Sequence, residues 1–303
     1  MNRVIGIGET VYDIIFKNER PVSATPGGSA FNALISVGRM GINCAMITNV
    51  GDDNIGDITL RYMEDNGVDT SLAFRQNGMK SHVALAFLDE NDNAQYQFYK
   101  DHAGVDMPAM DINFTDADAV LFGSFFAINP GIRDITRALL TKAKQRGAFL
   151  YYDINFRASH IADIPSTLGN INENMSLSSV VRGSLEDFGY LYGTENIDEI
   201  YEKHIRPYCP YFICSDGGNP VQLRTPLFSL SFDAPKIKTV STVGAGDNFN
   251  AGFLCQLMEE KNISSLPIAE WEENDWEKLI ANGQKFSAIV CQSLGNSIPS
   301  QKP

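Results

Sequence analysis

Residues Ser241 to Leu254, STVGAGDNFNAGFL, hold the pattern in this chain best suited to group-transfer chemistry. Gly244, Ala245 and Gly246 leave the backbone uncovered, and Phe249, Phe253 and Leu257 then recur every four residues, so the small-residue turn opens a helix. Successive N–H groups at a helix N-terminus form a concavity for an anion, and the helix dipole adds roughly half a positive charge there. A phosphoryl group is the natural occupant. Asp247, in the same turn, stands beside that anion either as a base for an attacking hydroxyl or simply as the helix cap.

A second glycine segment, PGGSAFNALISVGRMG, places Gly27 and Gly28 ahead of a helix whose Ala30, Leu34 and Val37 form an apolar stripe. Asn32 falls in its first turns, where an amide can donate and accept to sugar hydroxyls or be merely solvated. Asp13 is a further candidate, because an ionised carboxylate can take two hydroxyl hydrogen bonds. DINFR, Asp153 to Arg157, ends an apolar strand with polar side chains, and Arg157 could hold an anion at the carboxyl edge of a parallel sheet.

Other chemistries are set aside. GIGETV begins like a dinucleotide fingerprint, but Val11 occupies the third glycine position and Pro21 and Pro26 follow where a helix would run. No GxxxxGK[ST] loop occurs. His82, His102, His160 and His204 show neither metal-ligand spacing nor a nucleophile partner and are read as structural or exposed. The five cysteines are scattered without a CxxC, Cys209 and Cys214 lack a second ligand pair, and all are read as small hydrophobes.

The elements that must position these residues alternate along the chain. RVIGIG, CAMITNV, DAVLFGS, FLYYDI and YFICS read as strands buried on both faces, and Ile132 to Arg146 as a helix stopped by Gly147, which is the grammar of an α/β protein with a mainly parallel sheet. HVALAFLDENDNAQYQFYK breaks the alternation and predicts an antiparallel hairpin turning at Asp89 to Asn93. A β-like run, TVYDIIF, ends before Pro21 and could pair with that hairpin into a small sheet covering a cleft. WEENDWEKL predicts an acidic helix anchored by Trp271 and Trp276.

With 303 residues, 24 Lys plus Arg and 37 Asp plus Glu, the formal charge is 24 − 37 = −13. Such a field repels nucleic acid and anionic membrane, so neither is expected as a partner, and an anionic substrate must be held by local N–H groups and a few cations. MNRVIGIGET carries no secretory pattern, and a reduced, cytoplasmic setting is expected.

Taken in order, these segments resemble the ribokinase-like (PfkB) carbohydrate kinase family almost end to end. GGSAFNALISVGRMG looks like its sugar-side motif and STVGAGDNFNAGF like its C-terminal motif, with TNVGDDNIGD, the run ending QFYK, DINFR, SLED and ICSDGG in family order between them. The resemblance implies a single large three-layer α/β domain over residues 1–303 with a β-sheet lid from segments about 11–26 and 81–104. It implies ATP-dependent phosphorylation of a sugar hydroxyl. Asp247 would be the base, and the N–H groups of Gly244, Ala245 and Gly246 would hold the transferred phosphoryl group. Asp13, Gly27, Gly28, Asn32, Lys100 and Arg157 would line the sugar side, and Ser184, Ser215, Gly217 and Asn282 the nucleotide side. Magnesium would ride on the ATP phosphates, with Asp187 an indirect ligand where the family commonly has Glu.

Ser241 stands where many members carry the aspartate of a potassium site, which argues against strong potassium activation. Lys100 stands near an Arg common in fructokinases and ketodeoxygluconate kinases and lacks its bidentate fork, which disfavours an acidic sugar. The opening GETVYDIIF with PGG looks most like fructokinases, so fructose leads. A nucleoside or ribose kinase of the family and a non-catalytic sugar-binding homologue are the alternatives. The free edges of a lid sheet could pair two chains into a homodimer.

Overall fold

In the computed structural model, which describes residues 3–88, 94–99 and 107–300, the chain opens with β1 (Arg3–Ile7), β2 (Val11–Lys17) and β3 (Arg20–Gly27). Helix α1 (Ser29–Arg39) leads to β4 (Cys44–Gly51), α2 (Asn54–Asp65), β5 (Val68–Asp69), β6 (Ala73–Gln76), β7 (Val83–Leu88) and β8 (Ala94–Tyr99). The middle holds β9 (Asp118–Gly123), α3 (Ser124–Ile128), α4 (Arg133–Gln145), β10 (Phe149–Asp153), α5 (Ile164–Leu177), β11 (Val180–Ser184) and α6 (Leu185–Tyr192). The last part holds α7 (Ile197–Glu199), β12 (Phe212–Ser215), β13 (Val221–Arg224), β14 (Ser229–Phe232), α8 (Ala245–Glu259), α9 (Lys261–Ser264) and α10 (Glu273–Cys291).

Among the described residues the strands form two sheets. The larger runs β14-β13-β12-β11-β10-β9-β1-β4-β5, with β6 also paired to β4; β12 to β13 and β13 to β14 are antiparallel and the other pairs parallel. Alternate residues of one strand face opposite cores. Val4, Tyr151, Val180 and Ile213 pack with α1, α8 and α10, whereas Ile5, Tyr152, Val181 and Phe212 pack with α4, α5 and α6. The five apolar runs singled out above are β1, β4, β9, β10 and β12, and the helix expected at Ile132 to Arg146 is α4, ended by Gly147 at φ 80°.

β11 escapes the pattern because Arg182, Gly183 and Ser184 interrupt its apolar run, yet it lies between β10 and β12. The smaller sheet runs β3-β2-β7-β8. β2 pairs with β7 in parallel, Tyr12 opposite Val83, so the TVYDIIF run and the hairpin strands do share one sheet. The turn at Asp89 to Asn93 lies outside the described residues. Pro21 does not end the β structure: Asn18 and Glu19, both at positive φ, make a two-residue turn, and β3 returns antiparallel through Pro21 and Pro26. Both prolines are tolerated because β3 is an outer strand, where a missing donor leaves no ladder bond unmade.

The large sheet's α8 side is closed by aromatic packing. Trp271 and Trp276 are buried with ring centroids 5.0 Å apart, and Trp276 stacks on Tyr211 at 5.9 Å. The described cysteines Cys44, Cys209, Cys214, Cys255 and Cys291 are all free and buried. No helix among the described residues is long and apolar enough to cross a membrane. Trp276→Ala should remove about 3–5 kcal/mol of stability, read as a lower urea midpoint at unchanged slope; a midpoint like the wild type's would show that this ring does not anchor α10.

Candidate active site

Gly244 adopts φ 78° and serves as N-cap of α8, so the chain turns sharply; the Ala245 N–H donates back to the Thr242 carbonyl at 3.1 Å, and the helix itself supplies no partner to its first N–H groups. Thr242 and Val243 are exposed and Gly244, Ala245 and Gly246 half-buried, so the turn is open to solvent. The carboxylate that follows is different. Asp247 retains only 9% of its surface, a narrow opening, and burial holds its carboxyl above the ordinary range. Hydrogen bonds from Asn32 and Ser29 pull in the other direction, Asp153 pushes upward, and Arg157 draws down.

The bond from Asn32 Nδ2 to Asp247 Oδ2, 2.9 Å long, joins residues 215 apart in sequence. It brings the two glycine motifs together. α1 starts at Gly28, with φ 127°, directly after β3, so Asn32 stands one turn into the helix and faces α8. A methyl group on Gly27 would lie 2.5 Å from Asp13 Oδ2 and 3.8 Å from Asn32 Oδ1, so Asp13, Gly27 and Asn32 line one continuous wall. Burial pushes the Asp13 carboxyl up to about 6.

On the other side, three neighbouring strands of the large sheet end in polar groups. Asp153 of β10 pairs with Arg182 of β11 at 3.0 Å, Arg182 Nη2 donates to Ser215 Oγ of β12 at 2.7 Å, and Asn250 of α8 donates to Asp153 Oδ2 at 2.7 Å. Arg157, exposed, follows β10. Asn155 has φ 38° and Ser124 φ 54°, and they are joined by a 2.8 Å hydrogen bond from the Asn155 amide to the Ser124 hydroxyl. Positive φ at two non-glycine residues is strain that surrounding structure must hold, and both sit at carboxyl ends of strands.

The nucleotide-side candidates divide. Ser184 caps α6 and accepts from the Asp187 N–H at 3.1 Å, while Asp187 Oδ2 accepts from the Ser184 N–H at 2.7 Å. Burial raises Asp187 to about 6. Gly217 turns at φ 50° just after β12, exposed. Asn282 lies on α10, and its amide donates to the Gly252 carbonyl of α8 at 2.8 Å, a role in helix packing. Lys100 and His102 lie outside the described residues. The other histidines have structural partners: His82 lies 3.8 Å from Glu9, His160 bonds Asp163 and stacks on Phe125, and His204 stacks on Tyr192. Sequence reasoning passed over Arg182, Asn250 and Ser29. An arginine inside an otherwise apolar strand was the one available signal.

A mainly parallel sheet with helices on both faces, with a helix N-terminus and a carboxylate at the carboxyl edge of its strands, is an α/β architecture of the kind that binds ligands at that edge. The whole chain, residues 1–303, matches the family model described as pfkB family carbohydrate kinase, and the protein belongs to that family. It is therefore a carbohydrate kinase. It is 25% identical over 303 residues to aminoimidazole riboside kinase of Salmonella typhimurium, covering 99% of this chain and 92% of that one. It is also 25% identical to a fructokinase of Rhizobium leguminosarum bv. trifolii, covering 89% and 84%. Among solved structures, fructokinase from Vibrio cholerae O395, in a fructose, ADP and calcium ion bound form, superposes with a TM-score of 0.82 at 20% identity, covering 98% and 94%.

Asp13 and Asp187 are raised from 3.8 to about 6, so between those values the folded chain holds protons that the unfolded chain has released. Stability from these groups is present at low pH and is lost as pH rises through about 6. Asp13→Asn, which cannot ionise, should therefore raise the thermal midpoint relative to wild type at pH 8 and leave it nearly unchanged at pH 4. An equal shift at both pH values would remove the burial argument.

Proposed function

We propose that the protein transfers the γ-phosphoryl group of ATP to a hydroxyl of a neutral sugar, with fructose as the leading substrate. The observation that carries this reading is the hydrogen bond between Asn32 and Asp247, which joins the wall of Asp13, Gly27, Gly28 and Asn32 to the start of α8. Asp247 takes the proton of the sugar hydroxyl, whose oxygen attacks the γ-phosphorus as ADP leaves. A base held above its ordinary range by burial accepts that proton more readily than a surface carboxylate would. The N–H groups of Gly244 and Gly246 take up charge on the transferred group, whereas the Ala245 N–H, expected to join them, donates to the Thr242 carbonyl at 3.1 Å and holds the turn. Arg157 completes the sugar side. Ser184, Ser215 and Gly217 line the nucleotide side, whereas the Asn282 amide, bonded to Gly252, supports that side through packing.

Magnesium carried on the ATP phosphates would draw charge from the leaving group. Asp187 fits an indirect part in holding it, since one carboxylate oxygen already accepts the Ser184 N–H and the other remains for a metal-bound water. Ser241 donates no carboxylate to a potassium site, and its hydroxyl accepts from the Val243 N–H, so activity should depend little on potassium.

Fructose is favoured over an acidic sugar by the relatives named fructokinase and by Asp13, whose carboxyl would repel a second carboxylate. A riboside is the second reading, favoured by the relative named aminoimidazole riboside kinase. The four-stranded sheet serves as the lid of a single domain, because Asp13 and Gly27 sit on its first two strands. The exposed Val22, Phe98 and Tyr99 on that sheet suit a second copy of this chain.

Asp247→Asn should lower kcat by about 10²–10⁴-fold with little change in sugar KM, and a panel of fructose, ribose, ribosides and gluconate derivatives scored by ADP release should rank fructose first. An active Asn variant removes the base, and preference for a riboside removes fructose. Sedimentation equilibrium should show a dimer that Val22→Lys dissociates; a monomer at every concentration removes the pairing.

A further inference from the structure

Directly beneath the α8 turn lies a cation that the preceding reading does not use. Arg182 retains 5% of its surface, although an arginine inside a parallel strand would ordinarily be excluded from such a place. Its position is set from four sides. Nη1 meets Asp153 at 3.0 Å, Nη2 donates to Ser215 Oγ at 2.7 Å, and the guanidinium carbon stands 5.6 Å from the centroid of the Phe249 ring. The fourth side is Gly246: a methyl group there would lie 2.9 Å from Nη1 and 3.1 Å from Nη2. The glycine is therefore required by the arginine below it as well as by any anion above it, and the guanidinium forms the floor of the turn.

Three carboxylates surround this floor. Asp153 pushes the Asp247 carboxyl upward and does the same to Asp187, so their charges are felt by one another. A triphosphate approaching such a group would be repelled unless a cation stood among them. Arg157 also draws Asp247 down, but it is exposed and screened by solvent. The cation buried among these carboxylates is Arg182, and its charge acts through low-dielectric surroundings. Asn250, three residues after Asp247, donates to the same Asp153, so the first turn of α8 is tied to the Arg182 ion pair as well as resting on it.

We propose that Arg182 is a positioning residue for phosphoryl transfer: clamped between Asp153, Ser215 and the Phe249 ring, it fixes the Gly246 N–H and offsets the carboxylates around the transferred group. It rests on the reading that the Gly244–Asp247 turn receives that group. It does not reach the reacting atoms itself, since Gly246 stands between them. Its effect belongs to the transition state, in which the turn is loaded with charge, and not to the binding of sugar or ADP.

The test uses the full-length protein. Arg182→Met should lower kcat by about 10–100-fold, the scale of a small misplacement of a reacting group, with sugar KM and ADP affinity within about threefold of wild type. Inhibition by sugar, ADP and aluminium fluoride together, a stand-in for the transferred phosphoryl group, should weaken by the same factor as kcat. Arg182→Lys, which keeps the charge without the fork, should fall between Arg182→Met and wild type. Because the methionine variant leaves Asp153 unpaired, Arg182→Met with Asp153→Asn gives a neutral pair; its thermal midpoint should recover while kcat stays low.

Wild-type kcat and aluminium fluoride inhibition in either neutral variant would overturn the inference, as would a parallel loss of ADP affinity. Insolubility of both would also overturn it, by showing a purely structural role. Failure of the underlying reading looks different: Asp247→Asn would then keep its kcat whatever happened at Arg182.

Discussion

A carboxylate that must accept a proton has to be held where its charge is disfavoured, beside an anion that disfavours it further. Most of the structure around α8 answers that constraint. Asp247 is desolvated enough to be a stronger base than a surface aspartate, yet Asn32 and Ser29 donate to it, so the ionised form remains accessible. The amide of Asn32 is a suitable donor because it is neutral: a lysine there would stabilise the carboxylate strongly and weaken it as a base. The same amide belongs to the wall that carries Asp13, so one side chain spans Asp247, the proposed proton acceptor, and the proposed sugar site.

The sheet order explains how residues so far apart in sequence come together. β1 is an interior strand of the large sheet, between β9 and β4, and the small sheet begins in the loop that leaves its carboxyl end. A ligand in an open α/β fold binds at that edge, outside the strand ends. Inserting β2 and β3 between β1 and α1 therefore puts Asp13 and Gly27 at the mouth without lengthening any strand of the main sheet. The start of α1 is fixed in turn by the last part of the chain: the Ser297 hydroxyl donates to the Asn32 carbonyl at 3.1 Å, and the Ser36 hydroxyl accepts from the Ile298 N–H at 3.0 Å while donating to Asn248. The helix bearing Asn32 and the helix bearing Asp247 thus share one scaffold.

Much of this could be read in advance, for identifiable reasons. Doubly buried strands announce themselves as apolar runs, and β1, β4, β9, β10 and β12 were all legible. The glycine turns were legible because small residues followed by a helical stripe leave the backbone little choice but a turn that opens a helix. β11 was hidden because its central residue is charged, and β3 because it carries two prolines that only an outer strand can accommodate. The Asp153, Arg182 and Ser215 row was illegible because it depends on register across three parallel strands. Single-sequence periodicity has no access to that register. Asn282 was equally opaque to the sequence in its packing role, since the bond from its amide to the Gly252 carbonyl depends on how α10 lies against α8.

The strongly negative chain and the polyanionic substrate of a kinase are reconciled by distance. With a formal charge of −13, the average field opposes ATP, but exposed charges are screened beyond about 8 Å at physiological salt. Within that radius the balance is set by oriented N–H groups, the end of the α8 dipole and any cation kept out of water. The exposed lysines and arginines of the surface contribute little on this scale, because water reorients around them. A buried arginine whose guanidinium is immobilised by an ion pair, a hydroxyl and an aromatic face cannot relax, and neither can the turn packed upon it. If the turn receives the transferred group as proposed, such a fixed arrangement needs little reorganisation at the moment of transfer.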